Sequence, residues 1–137
     1  MYPYQEFSEL FPQVMVYMGP KIYGDADITA QQFRVLRIIG SGPVTVGEIS
    51  NHINSKLPAA ARLIRRMEIK GWILKRQDEH DRRVFWLELT SEGRKFMETL
   101  GRRRDRVIAE MFEKLSSEEQ ETIVKGIKLL LRSLSYE

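Results

Sequence analysis

The side chains in this chain best suited to chemistry are arginines. Arg62, Arg65 and Arg66 recur at helical spacing in the stretch NSKLPAAARLIRRMEIKG, and Arg82 and Arg83 follow in QDEHDRRVFW. A guanidinium stays charged and holds its donors in a rigid planar fork, which matches phosphates and the edge of guanine. Such residues suit binding to a polyanion better than bond-breaking. The chain has no cysteine, which removes disulfides, thiol redox sensing and cysteine zinc sites. Its two histidines, His52 and His80, gather no tight set of carboxylates, and Asp78, Glu79, His80 and Asp81 read as a solvated turn. No metal site, cofactor, phosphate-cradling loop or nucleophile–base pair is expected.

The charge distribution points the same way. The net charge is only +3, yet residues 55–106 carry fifteen Lys/Arg against eight Asp/Glu. The segments on either side are each slightly acidic. A basic middle between acidic ends polarises the surface, as proteins that meet nucleic acid commonly do. The alternative is a set of arginines decorating solvated helix faces, and the run GRRRDR at 101–106 is open to both readings. No apolar run is long enough to cross a membrane, and MYPYQEFSEL lacks the basic start of a secretory signal. A cytoplasmic chain of 137 residues with one compact domain is expected.

The elements that must position these arginines are marked by caps and period. Thr29-Ala-Gln-Gln32, Thr45-Val-Gly-Glu48 and Ser116-Ser-Glu-Glu119 fit the capping box, and Thr90 precedes a further helical pattern. Buried stripes follow as Phe33, Leu36 and Ile39, then Val46, Ile49 and Ile53, then Ala60, Leu63, Ile64 and Met67. Gly71 stops the last of these helices. Ser55 is its candidate N-cap, which would place Pro58 third in the helix. The segments WILKRQ and RVFWLEL then switch to β-branched and aromatic residues around a polar turn, which predicts a hairpin. Amphipathic helices are expected at both ends, around Phe7 to Met18 and over 117–134. Pro12 is expected to kink or split the first, and Gly19-Pro20 to disturb its end. The fold class is therefore mainly α with a small β-hairpin wing, a winged helix-turn-helix between terminal helices. Those terminal helices are more apolar than one small core needs, so they are expected to dimerise.

At LIRRMEIKGWILKRQDEHDRRVFWLELTSEGRKFM the sequence resembles the MarR family of transcription regulators. The likeness is carried by Gln32-Phe33 with Leu36, by Met67 to Gly71, and by Asp78 with Asp81-Arg82-Arg83. The wing signature of that family, D-x-R and then L-T-x-x-G, is met by Asp81, Arg83, Leu89, Thr90 and Gly93. The resemblance implies a homodimer that acts as a repressor on a pseudo-palindromic double-stranded operator, with no enzyme activity. Residues 29–106 would form the DNA-binding region, and 1–28 with 107–137 the dimerisation region. A recognition helix at 56–70 would enter the major groove, and a wing at 75–86 the minor groove.

Site residues follow from that picture. Arg83 would enter the minor groove, with Asp81 orienting it and Arg82 on the backbone. Ser55, Lys56, Pro58, Ala59, Arg62, Arg65 and Arg66 would face DNA from the helix, with Lys75 and Arg76 ranked lower. The resemblance also implies a pocket for a small aromatic effector, with Tyr17, Tyr23, Phe33, Trp72 and Phe96 as candidate lining residues, each of which taken singly reads first as core. In one respect the chain departs from the family. Where serine or threonine hydroxyls usually open the recognition helix, it has Pro58-Ala59-Ala60-Ala61. Alanine can touch a thymine methyl but cannot hydrogen-bond a base edge. Base readout by this helix should then be thin, and a winged-helix dimer that binds protein instead is the competing expectation.

Overall fold

The computed structural model describes residues 1–134 and holds, among them, six helices and three strands. In chain order these are α1 (Pro3–Tyr23), α2 (Ala30–Gly40), β1 (Val44–Thr45), α3 (Val46–His52) and α4 (Leu57–Ile69). They continue as β2 (Ile73–Gln77), β3 (Phe85–Leu89), α5 (Ser91–Phe112) and α6 (Ser117–Ser133). The expected mainly helical fold with a small wing is present.

Hydroxyl caps start α2, α3 and α6 for the reason the spacing suggests. Thr29 Oγ1 accepts from the Gln32 N–H at 3.0 Å, and the Gln32 carboxamide accepts from the Thr29 N–H at 3.1 Å. Ser116 and Glu119 close the same box at the head of α6. Thr45 makes only half of one, its hydroxyl accepting from the Glu48 N–H at 3.1 Å. Each cap satisfies donors that the first turn of a helix cannot pair internally.

The chain divides into two compact units, Tyr23–Gly101 and Met1–Ile22 with Arg102 onward. The first holds a core to which every one of its elements up to β3 contributes. Val35, Leu36 and Ile39 come from α2, Val44 from β1 and Ile49 from α3. Leu63, Ile64 and Met67 come from α4, Ile73 from β2 and Leu87 from β3. Val35 stands in the α2 stripe in place of Phe33, which is half-buried at its edge. The three strands form an antiparallel sheet in the order β1-β3-β2, with Val44 opposite Leu87 and Ile73 opposite Leu89. β1 was not foreseen, because two residues are too few to show a period of two.

Three expectations are corrected. Ser55 does not cap α4: its N–H donates to the Ser50 carbonyl and its own carbonyl accepts from the Ser50 hydroxyl, which draws it into the turn closing α3. Asn54 makes that turn with φ at +50°, in the left-handed region that asparagine tolerates. The N-cap is Lys56, which offers no side-chain acceptor, so Pro58 stands second in the helix. Pro12 does not split α1, and the helix continues past Pro20 to Tyr23. Each proline removes one internal hydrogen bond, and both lie where the helix is exposed to solvent. Finally, the strands are shorter than the apolar runs, leaving Trp72 and Val84 outside them.

The other unit buries little. Of α1 only Ile22 is buried, and α6 has no buried residue among those described. Six large apolar side chains of α6, from Ile123 to Leu131, and Leu134 at its C-terminal cap are 42–74% exposed. Phe7, Leu10, Phe11, Val14 and Met15 on α1 are exposed as well. In the basic run, Arg104 pairs with Asp105 at 3.1 Å and Arg103 donates to the Ile22 carbonyl at 3.4 Å. No described helix is long and apolar enough to cross a membrane.

Candidate nucleic-acid interface

Helix α4 shows two different faces. Ala60, Leu63, Ile64 and Met67 are buried against the core. At about 3.6 residues per turn the opposite pole carries Pro58, Arg62, Arg65 and Ile69, with Ala61 and Arg66 on its flanks. All six of these are exposed, and Ala59 is half-buried. Among the described residues Arg62, Arg65, Arg66 and Arg82 make no ion pair, so their charge is uncompensated. Lys75 and Arg76, by contrast, are paired with Glu68 at 3.6 Å and Glu88 at 3.2 Å. With Lys56 as a cap that has no acceptor, and with no N–H on Pro58, the helix begins with few groups that could hydrogen-bond a ligand.

The hairpin loop between β2 and β3 is more organised than a solvated turn. Asp78 Oδ1 accepts from the Trp86 indole N–H at 2.8 Å. Its Oδ2 accepts from the backbone N–H groups of His80 and Asp81, each at 3.0 Å. The Asp78 N–H donates to the Val84 carbonyl, and the Gln77 side chain donates to the Arg82 carbonyl at 2.9 Å. The sequence reading took Asp78 as part of a solvated turn and missed this role, although an aspartate that bonds the backbone two residues on, here His80, is an Asx turn. Within this loop Asp81 grips Arg83. Its carboxylate accepts from Nε at 3.1 Å and from Nη2 at 3.2 Å, and also from the Arg83 backbone N–H at 2.9 Å. The Arg83 side chain is nevertheless 90% exposed. It is held in place and still free to reach outward.

The same bonds set the acidity of the loop. The indole N–H of Trp86, then the two backbone N–H groups, hold the Asp78 carboxyl below its ordinary value. The Arg83 guanidinium does the same for Asp81, helped by the Arg83 N–H. A carboxyl with a lowered folded-state pKa adds stability above its unfolded value, and that stability is lost as pH falls through the folded one. The loop should therefore keep its form from neutral pH down to the ordinary aspartate range near pH 4 and loosen below it. The Trp86 indole N–H resonance is the probe. It is expected to hold its shift from neutral pH down to about pH 4 and to move only below that.

The wing is anchored at its base by close packing. Gly71, with φ at +82°, ends α4, and the Trp72 N–H returns to the Met67 carbonyl at 3.1 Å. The Thr90 hydroxyl accepts from the Gly93 N–H at 2.9 Å and donates to the Gly71 carbonyl. A Cβ on Gly93 would lie 2.0 Å from the Trp72 carbonyl oxygen, so only glycine fits there. The L-T-x-x-G pattern is thus the joint between wing and helix. Lys70 covers the Trp72 ring at 4.6 Å and reaches Asp27 at 3.5 Å.

Of the rings expected at an effector pocket, Tyr23, Phe33 and Trp72 lie in the unit Tyr23–Gly101. Tyr23 packs edge-on against Phe33 at 5.6 Å, and Trp72 stacks on Phe96 at 4.7 Å. Tyr17 belongs to the other unit, beneath Lys21. A cleft of about 390 Å³ does open between the starts of α3 and α4 and the wing, with Leu57, Ala61, Lys75, Arg83 and Phe85 among its lining. None of Tyr17, Tyr23, Phe33 or Trp72 borders it.

The chain is similar to known proteins in sequence and in fold. The chain is 31% identical over 97 residues to the uncharacterised HTH-type transcriptional regulator YwhA of Bacillus subtilis, covering 70% of each chain. It is 30% identical over 109 residues to the transcriptional regulator HosA of Escherichia coli O157:H7, covering 78% of this chain and 80% of HosA. Among solved structures, Streptococcus pneumoniae FabT in complex with DNA superposes with a TM-score of 0.76 at 26% identity, over 95% of this chain and 93% of FabT. Tm0710 of Thermotoga maritima, a transcriptional regulator, gives 0.72 at 27% identity over 97% and 99%. The sequence profile of the MarR family matches residues 28–85, which run from the loop before α2 to the start of β3 and so take in α4, the Asp78 knot and the Asp81–Arg83 fork. With the winged fold, the wing signature and these relatives in agreement, the chain belongs to the MarR family of transcription regulators.

Proposed function

We propose that this chain is a cytoplasmic, non-catalytic repressor that binds a pseudo-palindromic DNA operator as a homodimer. Helix α4 enters the major groove of each half-site and the wing enters the adjacent minor groove. Residues 29–106 form the DNA-binding region, and 1–28 with 107–137 form the dimerisation region. The observation that carries this reading is the Asp81–Arg83 fork, an exposed guanidinium fixed at the tip of an ordered hairpin. A narrow minor groove concentrates negative potential and favours an arginine delivered in this way. Lys56, Arg62, Arg65, Arg66 and Arg82 supply the uncompensated charge that neutralises phosphates, and the Ser55 hydroxyl stands beside the start of α4. The reading is supported by FabT, a protein of this fold at 26% identity whose structure is in complex with DNA.

Dimerisation accounts for the apolar faces of α1 and α6. A monomer rarely exposes contiguous apolar patches beyond a few hundred Å², and a second copy would cover both faces. Two measurements test the reading together. Sedimentation equilibrium is expected to give twice the chain mass of 16.1 kDa. Fluorescence anisotropy with a duplex enriched from a random library is expected to give an affinity that falls steeply with salt. A dimer neutralising about eight phosphates should show a log–log slope near −7. A flat salt response, or a folded dimer that enriches no duplex at low salt, would overturn it in favour of protein binding.

A further inference from the structure

Under the DNA-binding reading, on which this inference rests, the outward pole of α4 has an unusual composition. Every polar side chain on it is an arginine, and the rest are apolar: Pro58, Ala61 and Ile69, with the exposed Leu57 beside them at the start of the helix. Leu57 is 54% exposed and Ile69 75% exposed, although neither supports the core. No asparagine, glutamine, serine, threonine or carboxylate faces outward from Lys56 to Arg66. Adenine is read through a paired donor and acceptor, and cytosine through an acceptor for its amino group. This helix offers neither. What it can meet is the acceptor edge of guanine, through arginine, and the one apolar group that the major groove displays, the C5-methyl of thymine.

We infer that the leading turns of α4 read thymine methyl groups, with Leu57, Pro58 and Ala61 as the apolar surface that receives them. Charge complementarity selects the occupant. Arg62 and Arg65, which make no ion pair among the described residues, share the pole with these residues, and the exposed Arg83 stands across the neighbouring cleft, so positive side chains border the apolar patch. A protein partner with an apolar anchor would have to bury those charges, whereas a duplex neutralises them with phosphates on either side of the methyl groups. The bare alanine run is then a reader of methyl groups and not a helix that has lost its contacts.

The test uses the fact that thymine and uracil differ only in the major groove. Their minor-groove edges are the same, so the wing cannot tell them apart. Operators are selected from two random duplex libraries, one made with thymidine and one with deoxyuridine. The thymidine library is expected to yield half-sites with fixed thymines beneath α4, and the uridine library to lose preference at those positions only. In a synthetic operator, replacing one such thymine by uracil is expected to weaken binding about 4-fold, the effect of one buried methyl. The Leu57→Ser, Ala61→Ser double variant, checked for folding by circular dichroism, is expected to bind the two operators equally. Identical motifs from both libraries, with affinities within 2-fold, would overturn the inference while leaving the DNA-binding reading intact. Enrichment from neither library would overturn both.

Discussion

Arg83→Ala is expected to weaken operator binding about 100-fold while leaving the dimer folded. A well-placed arginine in a groove contributes about 1–3 kcal/mol, and a symmetric dimer loses two of them. At roughly 1.4 kcal/mol each, a tenfold change, the two losses multiply to two orders of magnitude. Loss of charge alone would predict less, because a single exposed cation is largely screened at physiological salt. The larger figure rests on the grip of Asp81, which fixes both Nε and Nη2 and so removes rotamer freedom before DNA arrives. Two companions separate these contributions. Arg83→Lys keeps the charge but cannot accept the fork geometry, and should recover only a minor part of the affinity. Asp81→Ala frees the arginine, and should cost several-fold even though it removes a negative charge near DNA. Anisotropy on the selected operator measures all three. An Arg83→Ala protein within 2-fold of wild type would show that the wing does not read the groove.

Gly93→Ala is the second large effect, and it acts on stability. The added methyl would lie 2.0 Å from the Trp72 carbonyl oxygen, with the Trp72 carbonyl carbon at 2.9 Å. Both are backbone atoms, so no side-chain rotation relieves the clash. The wing base or the first turn of α5 has to move by more than 1 Å to reach ordinary contact distance. Such overpacking costs about 3 kcal/mol, or roughly 10 °C in Tm for a chain of this size. Gly47→Ala is the matched control. Its new carbon would meet only Thr45 Oγ1 at 3.9 Å, and helix propensity alone should raise stability by up to about 1 kcal/mol. Thermal unfolding at one fixed protein concentration compares them, since unfolding of a dimer depends on concentration. A Tm for Gly93→Ala at or above that of wild type would mean that the joint is looser than its geometry.

Much of this protein was legible before any coordinates. Capping boxes at Thr29 and Ser116 are local devices, complete within four residues, and they formed as written. The α4 stripe of Ala60, Leu63, Ile64 and Met67 was equally readable, because a helix of 13 residues buries one face at a fixed period. The D-x-R and L-T-x-x-G patterns located the wing and its joint. Other features depend on residues distant in sequence. β1 exists only because β3 offers it a partner, and two residues carry no period of their own. Ser55 was misread as a cap because a serine ahead of a helix is a local signal, while the Ser50 side chain that claims it lies in α3.

Composition and order by themselves determined the winged helix-turn-helix and its basic middle. Those follow from periodicity, caps and charge, which are properties of neighbours along the chain. Tertiary structure decided how the arginines are divided. It neutralised Lys75 and Arg76 with nearby carboxylates, left Arg62, Arg65 and Arg66 unpaired, and clamped Arg83 at the wing tip. It also decided that Asp78 is the knot of the wing, because the Trp86 indole N–H becomes its partner only when the hairpin closes. An ion pair or a side-chain hydrogen bond depends on distances of about 3 Å, which a pattern of residue types constrains only after the backbone has brought its segments together.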